Sequence, residues 1–162
     1  MSRIQAFPGN AMSHFGVREI ENKLPSKFQG RQNSQIQRIE FSYDDLPTYG
    51  TDKAILEIPA NAFIVRATLR TLTAFAGGTS YNIGLYESDS TVIDADGIDA
   101  AVALTAMDAV GETVICDGAL VAATAGIGAN AGQVVIAATG TYTAGHASLE
   151  VEYIVLDDRA AS

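Results

Sequence analysis

ILEIPANAFIVRATLRTLTAF, residues 55–75, holds the longest alternating segment of the chain. A short apolar run stops at Pro59, turns through Ala60-Asn61-Ala62, and restarts at Phe63. From there Phe63, Val65, Ala67 and Leu69 alternate with Arg66, Thr68 and Arg70. Period two, built from apolar and long polar types, is the pattern of a strand with one face on a core. The phase fails at Leu72, which falls on the solvent side; a bulge or burial of both faces accounts for it.

Working outward, the same alternation recurs. Ile39, Phe41 and Tyr43 alternate with Arg38, Glu40 and Ser42, and Asp44-Asp45-Leu46-Pro47 closes that strand in a turn. Gly77-Gly78-Thr79-Ser80 reads as a hairpin loop leading into a strand through Tyr81, Ile83 and Leu85. An acidic connection over 87–99 follows. Residues 100–107, AAVALTAM, read as one short helix, Ala-rich and capped by Asp96 or Asp99. Residues 113–116 and 119–122 read as short strands, and 123–133 as a small-residue loop. Residues 134–142 and 147–156 form a closing hairpin around Thr143-Ala144-Gly145-His146. Its last strand sets Leu149, Val151, Tyr153 and Val155 against Glu150 and Glu152. If that strand neighbours 63–75, Arg66 and Arg70 pair with Glu150 and Glu152. Short strands, turns about every ten residues and a single helix predict an all-β fold, a β-sandwich or jelly roll over residues 36–162.

Residues 1–35 have another character. Pro8, Gly9, Gly16, Pro25 and Gly30 interrupt them repeatedly, and Ile4, Phe7, Met12, Phe15 and Phe28 are spaced apolar anchors. This is the pattern of an extended N-terminal arm that orders on a partner's surface. Charge separates the two parts as well. The chain carries −9 overall, yet residues 1–38 hold six basic side chains against two acidic, and residues 39–162 hold four basic against seventeen acidic. A basic arm on an acidic body points to an acidic protein surface, such as a neighbouring copy. Nucleic acid is disfavoured because the body repels phosphate.

Composition excludes several classes. Hydrophobic residues make up 48%, too many for a disordered chain, yet no run reaches eighteen apolar residues, so no membrane helix is expected. The N-terminus lacks the apolar core of a signal peptide. Cys116 is alone, and its apolar setting reads as an inert core thiol. Asp94, Asp96 and Asp99 with Gly97 borrow from calcium-loop vocabulary, but Thr105 stands where the loop needs a bidentate Glu. Gly126, Gly128 and Gly132 miss the dinucleotide spacing and precede a strand rather than a helix. His14 and His146 lie far apart in sequence, and Asp44-Asp45 and Asp157-Asp158 read as solvated pairs. No catalytic, cofactor-binding or metal-binding residue is assigned, and no enzyme is expected.

The run IPANAFIVRATLRTLTAFAGGTSYNIGLYESD, residues 58–89, resembles a segment recurring in tailed-bacteriophage virion proteins. The shared features are the PANA turn, the alternating strand, TAF-x-GG-T and an NIGLY-type strand. The closing LEVEYIV, residues 149–155, is similar to how those proteins end. The resemblance implies a small β-sandwich or jelly-roll protein that decorates and cements a capsid, or sits at the neck or tail. The expectation is then a capsid decoration protein, made in the host cytoplasm and placed on the outer surface of the virion. Its partners would be the major capsid protein and neighbouring copies of itself, as a dimer or trimer. The expected contacts lie in the arm: Arg3, Phe7, Phe15, Arg18, Lys23, Lys27, Phe28 and Arg31. A neck, tail or fibre-associated protein, a receptor- or glycan-binding module and a jelly-roll hydrolase stay open beside it.

Overall fold

The computed structural model describes residues 34–48 and 56–155. Eight strands follow in order: β1 (Ser34–Ser42), β2 (Glu57–Ile58), β3 (Ala62–Gly77), β4 (Ser80–Tyr86), β5 (Val92–Ala103), β6 (Thr113–Cys116), β7 (Gly132–Thr139) and β8 (Tyr142–Val155). They form two four-stranded sheets, β1-β8-β3-β6 and β2-β7-β4-β5. First pairs with last, second with seventh, third with sixth and fourth with fifth, all antiparallel. This is one long hairpin of four rungs, rolled so that β8 also pairs with β3 and β7 with β4. That wrapping is the eight-stranded jelly roll.

The alternation explains why the strands stay in place. On β1, β8 and β3, Ile39, Leu149 and Leu69 stand directly opposite one another, all buried. Each fully buried leucine or isoleucine contributes about 1.5–3 kcal/mol of transfer free energy. A one-residue slip would turn that row to water. At one end of the sandwich Phe41, Phe75, Tyr81 and Tyr142 form an aromatic cluster. Tyr81 and Tyr142 stack at 4.3 Å, with Phe75 edge-on to both at 5.5 and 5.9 Å.

Several expectations are corrected. On β3 the phase breaks earlier than Leu72. Ala62 and Ile64 are buried, the register shifts between Ile64 and Arg66, and Ala67, Leu69 and Thr71 are buried thereafter. Val65 sits in that irregularity, 44% exposed, and Phe63 is only half-buried. A further shift between Thr71 and Thr73 brackets Leu72, in keeping with the bulge expected there.

The two glycine turns are not hairpins. Gly77 and Gly78, at φ 72 and 65, carry the chain from one sheet to the other, and Gly140 does the same between β7 and β8. Left-handed backbone at two consecutive residues is open to glycine at little cost. Residues 143–146 therefore lie within β8, not in a turn.

The expected helix over 100–107 is strand as far as Ala103, followed by a single 3₁₀ turn at Leu104–Ala106. Pairing of Val102 with Tyr81 and of Ala103 with Ser80 outweighs the alanine propensity. Ala101, at φ 54, donates its N–H to Asn82 Oδ1 at 2.8 Å and absorbs the irregularity. The expected strand at 119–122 is reduced to one parallel bridge, Ile64 to Val121. The glycine loop beyond it is tied to the PANA turn. Asn61 N–H donates to Gly128 O at 2.7 Å, Ile127 N–H to Ala62 O at 2.9 Å, and Ile127 is buried.

Candidate interaction face

Alternation that buries Ile39, Leu149 and Leu69 drives their neighbours outward. Across the outer face of the β1-β8-β3-β6 sheet, Arg38 lies opposite Glu150, and Glu150 opposite Thr68. In the adjacent rows Glu152 stands between Ile36 and Arg66, and Ser148 between Glu40 and Arg70. The bulge at Val65 sets this arrangement, because it shifts Arg66, Thr68 and Arg70 into register with Glu152, Glu150 and Ser148 of β8.

Arg66 Nη2 reaches Glu152 Oε2 at 3.2 Å, and Glu152 Oε1 also accepts from Ser34 Oγ at 2.6 Å. The expected pairing of Arg66 with the last strand is present; exposed on the arginine side, such a pair contributes roughly 0–1 kcal/mol. Arg38 donates from Nε to Ser148 Oγ at 2.6 Å and from Nη2 to Glu40 at 2.7 Å. Arg70 makes no hydrogen bond or ion pair among the described residues.

Together these side chains line a depression of about 430 Å³ whose walls are Arg38, Arg66, Thr68, Arg70, Thr113 and Ser148, with Glu150 and Gly111. Every arginine among the described residues opens onto it. Exposed aliphatic side chains border the same sheet: Ile36 at 57%, Val65 at 44% and Ile115 at 74%. The arrangement has donors for carboxylates at its centre and apolar surface at its margin. Its arginines can donate to anionic oxygens, with Glu150 a competing carboxylate in the same lining.

The carboxylates that resemble a calcium loop are dispersed along β5. Asp94 accepts from the Asp96 N–H at 3.3 Å, Asp96 is exposed, and Asp99 is buried beside Cys116. Among the described residues no group of three His, Cys, Asp or Glu gathers as a metal site. Asp99 and Cys116 join the two sheets at their β5 and β6 edges, where the Gly118 and Leu120 N–H groups donate to Ile98 and Gly97 at 2.9 and 2.8 Å. Burial, followed by the Asp99 charge, pushes the Cys116 thiol up to about 12, so it stays protonated and inert.

Burial raises the Asp99 carboxyl above its ordinary value, against the hydrogen bond from Cys116 that lowers it and with a smaller rise from Asp117. A raised folded-state value means that the fold binds this proton more tightly than the unfolded chain does. Its stabilisation is complete below the ordinary carboxylate value of 3.8 and is lost as pH rises through the higher folded value. Asp99→Asn is therefore expected to be more stable than the parent at pH 7. Thermal melts should show the difference closing below about pH 4.

All eight arm residues expected as contacts, Arg3, Phe7, Phe15, Arg18, Lys23, Lys27, Phe28 and Arg31, lie outside the described residues. The sequence places Arg38 on the first body strand and Arg66 with Arg70 on one polar face, but does not bring the three together around one depression. The available signal was the shared phase of Arg38, Arg66 and Arg70, each beside a buried aliphatic residue; pairing the strands was the missing step.

No protein-family model matches the sequence, and no curated protein matches it. In three dimensions the chain is similar to a chain in the acidic stable capsid structure of Helicobacter pylori bacteriophage KHP30. The TM-score is 0.52 at 15% identity, covering 76% of this chain and 88% of that one. It is also similar to a chain of the cyanophage Pam1 capsid asymmetric unit, with a TM-score of 0.50 at 15% identity, covering 86% of this chain and 98% of that one. At such identities the likeness is one of fold: this chain shares its jelly roll with chains of two phage capsids.

Proposed function

We propose that this chain is a structural protein of a bacteriophage virion, and within the virion a decoration (cement) protein. It binds the outside of the major capsid protein shell and stabilises it, with residues 1–35 as its main contact. The observation that carries this reading is the mutual coverage with the Pam1 capsid chain, 86% of one and 98% of the other. That chain belongs to a capsid asymmetric unit, and the shared fold spans nearly all of it. The motifs of residues 58–89 and 149–155 support the same class, and the basic, anchor-bearing arm suits a segment laid across a neighbour. A glycan-binding reading gains no support from the depression, whose lining has no aromatic ring for a sugar to stack on.

The test uses particles assembled without this chain. Full-length chain and a chain lacking residues 1–32 are added, and occupancy is read by electron cryomicroscopy and co-sedimentation. Every strand pairing described here lies within residues 34–155, so the shortened chain keeps the whole jelly roll. The full chain is expected to cover the shell, and the shortened one to bind roughly a hundredfold more weakly or less. Full occupancy by the shortened chain would remove the arm from the contact. Density confined to the neck or tail would move the chain there.

A further inference from the structure

The turn between β4 and β5 carries carboxylates and no basic side chain, whereas the depression sets three arginines around a single lining carboxylate, Glu150. Glu87 and Asp89 lie in it, Asp94 and Asp96 follow, and Val92 beside them is 54% exposed. It is a fixed turn. The Glu87 N–H donates to Thr91 O at 2.8 Å, the Ser90 N–H to Glu87 O at 3.0 Å, and the Thr91 N–H to Asp89 Oδ1 at 3.0 Å. Acids with one exposed valine complement arginines with an aliphatic margin. The turn belongs to the sheet on the far side of the core from the depression, so the two cannot meet within one chain.

We propose that copies of this chain associate head to tail, the β4–β5 turn of one copy seating Asp89 against Arg70 in the depression of the next. Charge complementarity selects this occupant. Glu40 and Ser148 engage Arg38 and Glu152 engages Arg66; Glu150, opposite Thr68 in the lining, makes no ion pair with Arg70, which leaves Arg70 as the guanidinium open to an incoming carboxylate. A planar guanidinium binds a carboxylate through two parallel hydrogen bonds. Val92 then meets the aliphatic border near Ile115 and Val65. Because the two surfaces differ, the contact is heterologous and produces a closed ring where the rotation between copies closes. Self-association of the purified chain is independent of shell binding, which is measured on particles.

Sedimentation velocity and native mass spectrometry of the full chain test it, with Arg70→Glu, Asp89→Arg and the double variant carrying both. Both positions are exposed, and unchanged circular-dichroism melts confirm that each variant folds. Because Asp89→Arg also removes the acceptor of the Thr91 N–H, Asp89→Asn, which keeps an oxygen for that bond, separates loss of charge from loss of the turn and should weaken association as well. The parent chain is expected to associate, more weakly as salt rises. Each single reversal should weaken association roughly tenfold or more. The double variant should restore it, since the introduced carboxylate then faces the introduced guanidinium across the same contact. A parent chain that stays monomeric throughout the micromolar range overturns the proposal. So does an Arg70→Glu chain that associates like the parent, or a double variant that stays apart. Loss of shell binding by Arg70→Glu with self-association intact would assign the depression to the shell instead.

Discussion

Gly145→Ala is expected to cost about 4 kcal/mol of folding stability, read as a lower denaturant midpoint at unchanged slope. Two effects combine at this position in β8. The backbone stands at φ +136, where a side chain adds strain of about 1–3 kcal/mol. A Cβ would also fall 2.0 Å from Phe75 Cδ1, with two more ring carbons at 2.3 and 2.5 Å. Phe75 has little freedom to yield, because it is 3% exposed and edge-on to both Tyr81 and Tyr142. Overpacking of that kind typically adds about 1–3 kcal/mol. Gly111→Ala separates the two effects: its φ is +91, yet nothing lies within 4 Å of the added carbon. It should lose only the strain, about 1 kcal/mol. If both variants lose the same amount, the ring over Gly145 is not what the glycine serves.

The strands were legible because burial imposes period two on any sequence that stays in such a sheet. Ile39 and Phe41, or Leu149 and Val151, can be read without knowing their partners. What the pattern could not disclose was phase. Phe63 and Val65 are as apolar as Ile64, so the shift between Ile64 and Arg66 leaves no mark in the residue types. Nor could Gly77-Gly78 distinguish a hairpin from a corner between sheets, since the same left-handed backbone serves either. The helix expected over 100–107 was overruled by distant residues, Tyr81 and Ser80, which local propensity cannot include.

The candidate face shows the same division between local and distant information. Of the pairing expected between Arg66 and Arg70 on one strand and Glu150 and Glu152 on the other, Arg66 meets Glu152, whereas Arg70 lies opposite Ser148 and makes no ion pair among the described residues. Arg38 counts in the charge of the basic N-terminal stretch, although its alternation with Ile39 already puts it on the first body strand. What the structure adds is the partner: β1, from Ser34, pairs with β8 and sets Arg38 opposite Glu150. Long-range antiparallel register brought residues 38, 66, 70, 113 and 148 around one depression. Such register emerges from the rolled hairpin as a whole, where β1 must find β8 more than a hundred residues away in sequence.

Leu149→Ala tests whether that hairpin is held from the core side, and it is expected to cost about 3 kcal/mol. Leu149 is fully buried on β8, the strand flanked by β1 and β3, with Ile39 opposite on one side and Leu69 on the other. Truncation leaves a cavity that three paired strands cannot collapse without losing register, so relaxation should recover little of the loss. For a body of this size the melting temperature should fall by roughly 10 °C. Ser148 and Glu150, its neighbours in sequence, point to the outer face, and Arg70→Ala on that face should change stability by no more than about 0.5 kcal/mol. At a temperature where both variants remain folded, the two substitutions should therefore exchange roles. Leu149→Ala lowers the melting temperature and leaves association of the folded chain intact, whereas Arg70→Ala weakens association and leaves the melt in place. Should Leu149→Ala weaken association as strongly while still folded, the arginine face depends on the core packing beneath it, and the two sides of β8 are not independent.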